Sequence, residues 1–163
     1  MSVRDLRLAE EVWEHGSPMR RAEWRAAIDD LRRYAVLGPR FASLYGLVTP
    51  APAAIRLEFL DEDGVVAESF DVPIAVLDPH VKEYLAIIRR LDEGAGHRET
   101  SWVEAVDMAK KVVHDSAART LATTLAGLAA DHETYRRIFT LLLALVVDTT
   151  ELVHVRGHRY GKR

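Results

Sequence analysis

The 163-residue sequence contains no cysteine, which excludes disulfide bonds, thiolate zinc sites, iron–sulfur clusters and cysteine nucleophiles. Aromatic residues make up only 7% of the chain and form no strip on which nucleic-acid bases could stack. The formal net charge of −3 excludes a globally basic nucleic-acid binder. A functional site in this chain is therefore restricted to carboxylate, imidazole and guanidinium chemistry, and the sequence predicts no cofactor.

Long hydrophobic runs are also missing. The most apolar segment, Ile138 to Val147, is far shorter than the roughly 20 residues that span a bilayer. Charged residues interrupt residues 1–16 every two or three positions, so no secretory signal is visible there. These absences predict a cytoplasmic protein that does not insert into a membrane.

The overall composition is typical of one globular domain, with 48% hydrophobic and 29% charged residues. We expect a single α+β domain over residues 1–151 and a basic, flexible tail over residues 152–163. The tail has no acidic residue, and its cations are Arg156, Arg159, Lys162 and Arg163. This basic tail is attached to an acidic body, a pattern that favours either a solvated terminus or electrostatic contact with RNA or an acidic partner.

Capping patterns predict where the helices begin. Ser17-Pro18 and Asp78-Pro79 place an N-cap residue before a proline at the first helical position. Ser101 followed by Glu104 resembles a capping box, and Asp131 caps the last apolar helix. We expect the long helix that starts near residue 101 to break near residues 115–116.

Alternating apolar residues predict a small sheet. Ile55, Leu57 and Phe59 alternate with polar residues and precede a turn at residues 61–64, after which an extended segment returns. Residues 3–8 and 74–77 suggest two further short strands, and the prolines of residues 46–53 suggest a loop. The predicted fold is therefore four or five helices packed on one face of a small antiparallel sheet or hairpin.

Four functional side chains share one face of the long helix. On a helical wheel Glu104, Asp107, Lys111 and His114 fall within an arc of about 80°, opposite an apolar face. Two carboxylates, an amine and an imidazole could perform acid–base chemistry or bind a metal ion. The alternative is an ordinary solvated face, supported by an Asp107–Lys111 pair one turn apart.

A second group of candidate ligands lies near the C-terminus. If the last helix continued, Glu151, His154 and His158 would share one face and could bind a divalent ion. Gly157 between the two histidines favours fraying instead, so we expect no metal site there.

Two segments resemble a known bacterial family. EAVDMAKKVVHDSAARTL, residues 104–121, and DHETYRRIFTLLLAL, residues 131–145, are similar to the signature segments of Uncharacterised Protein Family 0262. The family pattern has a glycine-containing turn where this chain has Asp115-Ser116-Ala117, and it usually ends before the basic tail. The resemblance implies the order of the elements and gives more weight to the Glu104, Asp107 and His114 face. Because that family has no assigned activity, the resemblance implies no reaction.

Several functions remain open. The preferred interpretation is a non-catalytic binding or regulatory interaction module, in which Arg136 and Arg137 are structural partners of the carboxylates on the Glu104 and Asp107 face. In the alternative, Glu104, Asp107 and His114 form an enzyme or metal-dependent site with Lys111 beside it and an arginine as an anion clamp. RNA contact through the tail and self-association are further alternatives.

Overall fold

The computed structural model describes residues 3–93 and 100–148, and the order of its elements confirms the predicted α+β class. The predicted tail and the candidate ligands Glu151, His154 and His158 lie outside these residues. Two short 3₁₀ turns, Pro39–Phe41 and Ala126–Leu128, accompany the main elements. Those elements are β1 (Asp5–Leu8), α1 (Glu10–His15), α2 (Pro18–Tyr34), β2 (Tyr45–Pro50), β3 (Ala54–Leu60), β4 (Val66–Pro73), α3 (Ile74–Glu93), α4 (Thr100–Thr124) and α5 (His132–Val146).

The four strands form a mixed sheet in the order β1-β2-β3-β4. The predicted antiparallel pairing holds for β2–β3 and β3–β4, but β1 runs parallel to β2. Parallel neighbours need a long crossover connection, which α1 and α2 supply here. The expected short strand at residues 3–8 is therefore present, and it extends the hairpin on the side of β2.

The loop predicted at residues 46–53 is wrong, because most of that segment belongs to β2. Pro50 is tolerated because it occupies the last position of the strand. Gly46 has a packing role, since a Cβ atom there would lie 2.7 Å from Leu6 Cδ1. Pro50 therefore marks the end of β2, and Gly46 marks a close contact between β2 and β1.

The strand predicted at residues 74–77 and the helix start at Asp78-Pro79 are also wrong. Helix α3 begins immediately after β4, at Ile74, and contains Pro79 in its second turn. Pro79 lacks the N–H that would bond to the carbonyl of the residue four positions earlier, so α3 loses one backbone bond. Asp78 instead pairs with Lys82 one turn on, at 2.7 Å.

Helices α2 and α5 begin where the capping patterns place them. Ser17 Oγ accepts from the Arg20 N–H at 3.1 Å, and Asp131 Oδ1 accepts from the Thr134 N–H at 2.8 Å. The predicted break near residues 115–116 is absent, because α4 is continuous from Thr100 to Thr124. Ser101 already lies inside α4 and is not its N-cap.

The helices cover one face of the sheet. Val48, Ile55 and Leu57 are almost completely buried, and Val48 and Leu57 lie near apolar residues of α2 and α5. Helix α5 packs between α2 and α4, and α3 packs on the other side of α4.

None of the helices in residues 3–93 and 100–148 combines the length and the apolar content needed to cross a membrane.

Candidate functional site

The sequence predicts six candidate side chains on α4 and α5, and all of them except Glu104 lie beside one open cleft between these helices. We call it the α4–α5 cleft. It has a volume of about 520 Å³. Glu104 is exposed and does not line this cleft. The lining residues are Asp30, Asp107, Lys110, Lys111, His114, Glu133, Arg136, Arg137 and Thr140.

The cleft exists because two consecutive helices pack along each other after a short connection. Asp107, Lys111 and His114 follow one another at intervals of four and three residues on the flank of α4 that borders α5. Glu133, Arg136 and Thr140 follow one another at intervals of three and four residues on α5. The two polar rows therefore face each other over about two turns of helix.

Carboxylates hold both arginines in place. Arg136 Nε lies 3.2 Å from Asp115 Oδ1, and Arg136 Nη1 donates to Glu133 Oε1 at 3.2 Å. Arg137 Nε donates to Asp30 Oδ2 at 3.0 Å, which ties α5 to α2, and its guanidinium lies 5.0 Å from the centre of the Tyr34 ring. The arginines thus pair with carboxylates other than Glu104 and Asp107. Their positions are set by three helices.

His132 also contacts Asp115, which connects the start of α5 to the middle of α4. Its Nε2 atom lies 3.1 Å from Asp115 Oδ1. This hydrogen bond, and more weakly the charge of Arg136, holds the pKa of Asp115 below its usual value. Asp115 therefore stays ionised beside Arg136, and this pair holds the Arg136 side chain that lines the cleft.

The two lysines of the cleft differ from the arginines. Neither Lys110 nor Lys111 has an ion-pair partner within 4.0 Å among the residues that the structure describes. Burial lowers the pKa of Lys110, and the negative charge of Asp107 opposes that effect. Lys111 is exposed at the rim. The cleft therefore presents two ammonium groups that are available to a ligand.

His114 is half-buried at the inner end of the cleft among aromatic rings. The Phe139 ring meets it edge-to-face at 5.1 Å between centroids, and the Tyr84 ring does so at 5.9 Å. Burial lowers the pKa of His114, and the nearby charge of Arg136 lowers it further. Burial also raises the pKa of the Tyr84 hydroxyl. Near neutral pH the His114 imidazole and the neighbouring Tyr84 phenol are therefore both uncharged.

A second pocket of about 540 Å³ adjoins the cleft and shares Asp30, His114 and Thr140 with it. We call it the alanine pocket, because small residues of α2 and α5 leave its space open. Its remaining lining residues are Ala22, Glu23, Ala26, Ala27, Tyr84, Leu143 and Ala144. Glu23 is only 8% exposed there. The cleft and the pocket form one groove that is charged at one end and mostly apolar at the other.

Sequence reasoning found Asp107, Lys111, His114, Arg136 and Arg137 but missed four other lining residues, Asp30, Tyr84, Glu133 and Thr140. Asp30 and Tyr84 belong to α2 and α3, and no spacing along α4 could bring them to the site. Lys110 could have been found, because it lies beside Lys111. Within residues 3–93 and 100–148, no three His, Asp or Glu side chains are grouped so that they could hold a metal ion.

Comparison with known proteins extends the resemblance noted in the sequence. The family model described as Uncharacterised protein family (UPF0262) matches residues 2–148. No solved structure matches the chain significantly. The match contains every residue of the α4–α5 cleft and of the alanine pocket.

Individual relatives agree with this match. A UPF0262 protein of Paracoccus denitrificans is 32% identical over 61% of this chain and 67% of its own length. One from Sphingopyxis alaskensis is 29% identical over 90% of this chain and 87% of its own. One from Jannaschia is 36% identical, but the alignment spans about half of each chain. The resemblance is confirmed, and the chain belongs to the uncharacterised protein family UPF0262.

Proposed function

We propose that this protein is a non-catalytic binding module and that the α4–α5 cleft binds a small molecule with an anionic group. The observation that carries this proposal is the pair of lysines, Lys110 and Lys111, which face the cleft without an ion-pair partner among the described residues. Ammonium groups bind phosphate and carboxylate oxygens through charge-assisted hydrogen bonds, which are stronger than neutral ones.

The arginines support the same function by their positions. Arg136 and Arg137 are already paired with Asp115, Glu133 and Asp30, so their ionic contacts serve to shape the cleft. A rigid wall reduces the entropy lost when a ligand is ordered against it. The lysines then supply most of the attraction, and the arginines hold the surface that the ligand meets.

The environment of His114 favours binding over catalysis. A histidine that acts as a general base is usually oriented by a hydrogen bond from its second ring nitrogen to a carboxylate or carbonyl. His114 has aromatic rings beside it and no hydrogen bond to a described residue. Its lowered pKa keeps the imidazole neutral, in which form it accepts a hydrogen bond from a ligand.

Isothermal titration calorimetry with pyrophosphate tests the proposal. We expect the double variant Lys110→Ala/Lys111→Ala to bind pyrophosphate at least about tenfold more weakly than the unaltered chain. The matched control is Lys82→Ala/Arg89→Ala, which removes the same charge from exposed positions of α3 outside the cleft. We expect this control to bind as the unaltered chain does.

Two outcomes would contradict the proposal. Equal losses in the two double variants would mean that pyrophosphate responds to overall charge and not to the cleft. No binding of pyrophosphate by the unaltered chain at millimolar concentration would mean that the two lysines do not form an anion site. Circular dichroism of each variant confirms that the fold is retained before the titrations are compared.

A further inference from the structure

The outer face of α4 carries an apolar patch that nothing in the described residues covers. Met108 and Val112 are 58% and 56% exposed, and Ala105 beside them is also exposed. By contrast, the exposed faces of α2 and α3 carry charged side chains, such as Arg25 and Asp29 on α2 and Lys82 on α3. We call Ala105, Met108 and Val112 the α4 patch.

The patch follows the line that a second helix would contact. Ala105, Met108, Val112 and Arg119 are separated by three, four and seven residues, which places them along one edge of the helix. This spacing is that of residues that meet a partner helix in near-parallel or antiparallel packing. The patch faces away from the α4–α5 cleft, so its occupation leaves the cleft open.

Opposite charges border the patch at its two ends. Glu104 directly precedes it, Arg119 lies about two helical turns beyond Val112, and both are exposed. Neither side chain forms an ion pair with a residue in the ranges 3–93 and 100–148. A helix with an acid at one end of an apolar patch and a base at the other is complementary to an antiparallel copy of itself.

We infer that the α4 patch binds a second copy of this chain, with the two α4 helices packed antiparallel around a two-fold axis between Met108 and Val112. In this arrangement Met108 meets Val112 of the partner subunit. With a rise of about 1.5 Å per residue, Glu104 lies about 9 Å from the axis and Arg119 about 13.5 Å. The two-fold axis then brings Glu104 and the partner's Arg119 within about 5 Å along the helix.

Symmetry doubles this electrostatic contribution. In a two-fold interface each contact occurs twice, so both ends of the helix pair carry the same Glu104–Arg119 ion pair. An unrelated partner would need to supply both charges in the reverse order, whereas a second copy provides them by symmetry. The pattern on α4 therefore selects self-association, independently of any ligand in the cleft.

Charge reversal combined with sedimentation equilibrium tests the arrangement. We expect Glu104→Arg and Arg119→Glu, each alone, to weaken the dimer about three- to thirtyfold, because each creates two like-charge contacts. We expect the double variant Glu104→Arg/Arg119→Glu to recover the dimer, since it restores both ion pairs with the charges exchanged. A merely destabilised fold would not recover in this way.

An apolar substitution provides a second measurement. Met108→Glu should abolish the dimer, whereas Val65→Glu should leave it intact, because Val65 is 60% exposed at the β3–β4 turn and far from the patch in sequence. A chain that stays monomeric up to about 1 mM overturns the inference, since specific dimers bind more tightly than this. A double reversal as weak as the single variants, or a dimer that tolerates Met108→Glu, overturns it as well.

Discussion

Helices α4 and α5 lie side by side and differ in how much of their surface other elements cover. In α5, eight of the 15 residues are buried, and they include the fully buried Phe139 and Leu142. In α4, only five of the 25 residues are buried, while Met108 and Val112 remain exposed. These two neighbouring helices therefore differ in where their apolar residues lie, because most of those on α5 are buried whereas Met108 and Val112 on α4 are exposed.

The difference follows from the neighbours of each helix. Helix α5 packs between α2 and α4 and also contributes to the core beneath the sheet, so most of its circumference faces protein. Helix α4 packs against α5 and α3, which leaves its outer face open. Hydrophobicity alone cannot distinguish the two cases. An apolar residue on α5 stabilises the fold, whereas one on the outer face of α4 is available for association.

Removing the largest fully buried side chain of α5 should have the largest effect on stability. Phe139 is 0% exposed and meets the rings of His80 and His114 edge-to-face. We expect Phe139→Ala to lower the free energy of unfolding by about 3–5 kcal/mol, because it removes buried apolar area and leaves a cavity. Urea denaturation monitored by circular dichroism measures the change. A loss below about 1 kcal/mol would contradict the burial assigned to α5.

The N-cap of α5 should contribute the next largest effect. Asp131 accepts a hydrogen bond from the Thr134 N–H. Hydrogen bonding to the Thr134 side chain, and more weakly to its backbone, holds the pKa of Asp131 below its usual value. We expect Asp131→Ala to cost about 1 kcal/mol of unfolding free energy, and Ser17→Ala at the start of α2 to cost a comparable amount. Denaturation at pH 7 measures both. An unchanged midpoint for Asp131→Ala would show that α5 does not depend on its cap.

Local patterns predicted the parts of the fold that local chemistry controls. The caps at Ser17 and Asp131 and the alternation in β3 are properties of a few adjacent residues, and the structure has a helix or strand at each place. One error occurred where a contact distant in sequence overrides local preference, because Gly46 packs against Leu6 and this contact could not be read from its own segment. Another concerned a helix boundary, since α3 begins at Ile74 and contains Pro79.

The residues of the candidate site also divide into those that local spacing predicts and those that it does not. Asp107, Lys111 and His114 share a helical face, and their common location follows directly from spacing along α4. The partner of Arg137 could not be found in this way, because Asp30 belongs to a helix more than 100 positions earlier. The pairing of Arg136 with Asp115 depends likewise on how α5 packs against α4. The resemblance to the family indicated which segments matter, but it contained no information about which carboxylate meets which arginine.

Stability should also depend on pH through His114, which belongs to α4 and meets the Phe139 ring of α5. Its pKa in the folded chain is lowered by burial and by Arg136 and Lys110, while Asp115 opposes these effects. The unfolded chain, with an ordinary histidine pKa of about 6.5, therefore binds a proton first. The contribution of His114 is fully present above about pH 6.5 and is lost as the pH falls towards the lower folded pKa.

Comparing His114→Gln with the unaltered chain isolates this contribution from the other histidines. We expect the free energy of unfolding of the unaltered chain to fall more steeply between pH 7.5 and about 5.5 than that of the variant. Urea denaturation at several pH values in that window measures the two slopes. Parallel slopes would mean that His114 titrates in the folded chain as it does in the unfolded one.

The smallest effect should come from the outer face of α4. We expect Met108→Ala, measured on dilute protein, to change the free energy of unfolding by no more than about 0.5 kcal/mol, because the side chain is 58% exposed. The same substitution should weaken self-association in sedimentation experiments. A loss of several kcal/mol in dilute protein would show that Met108 belongs to the core, and the contrast between the two helices would no longer hold. A small loss of stability with a large loss of association would sharpen the contrast, since an apolar side chain on α4 would then act between chains.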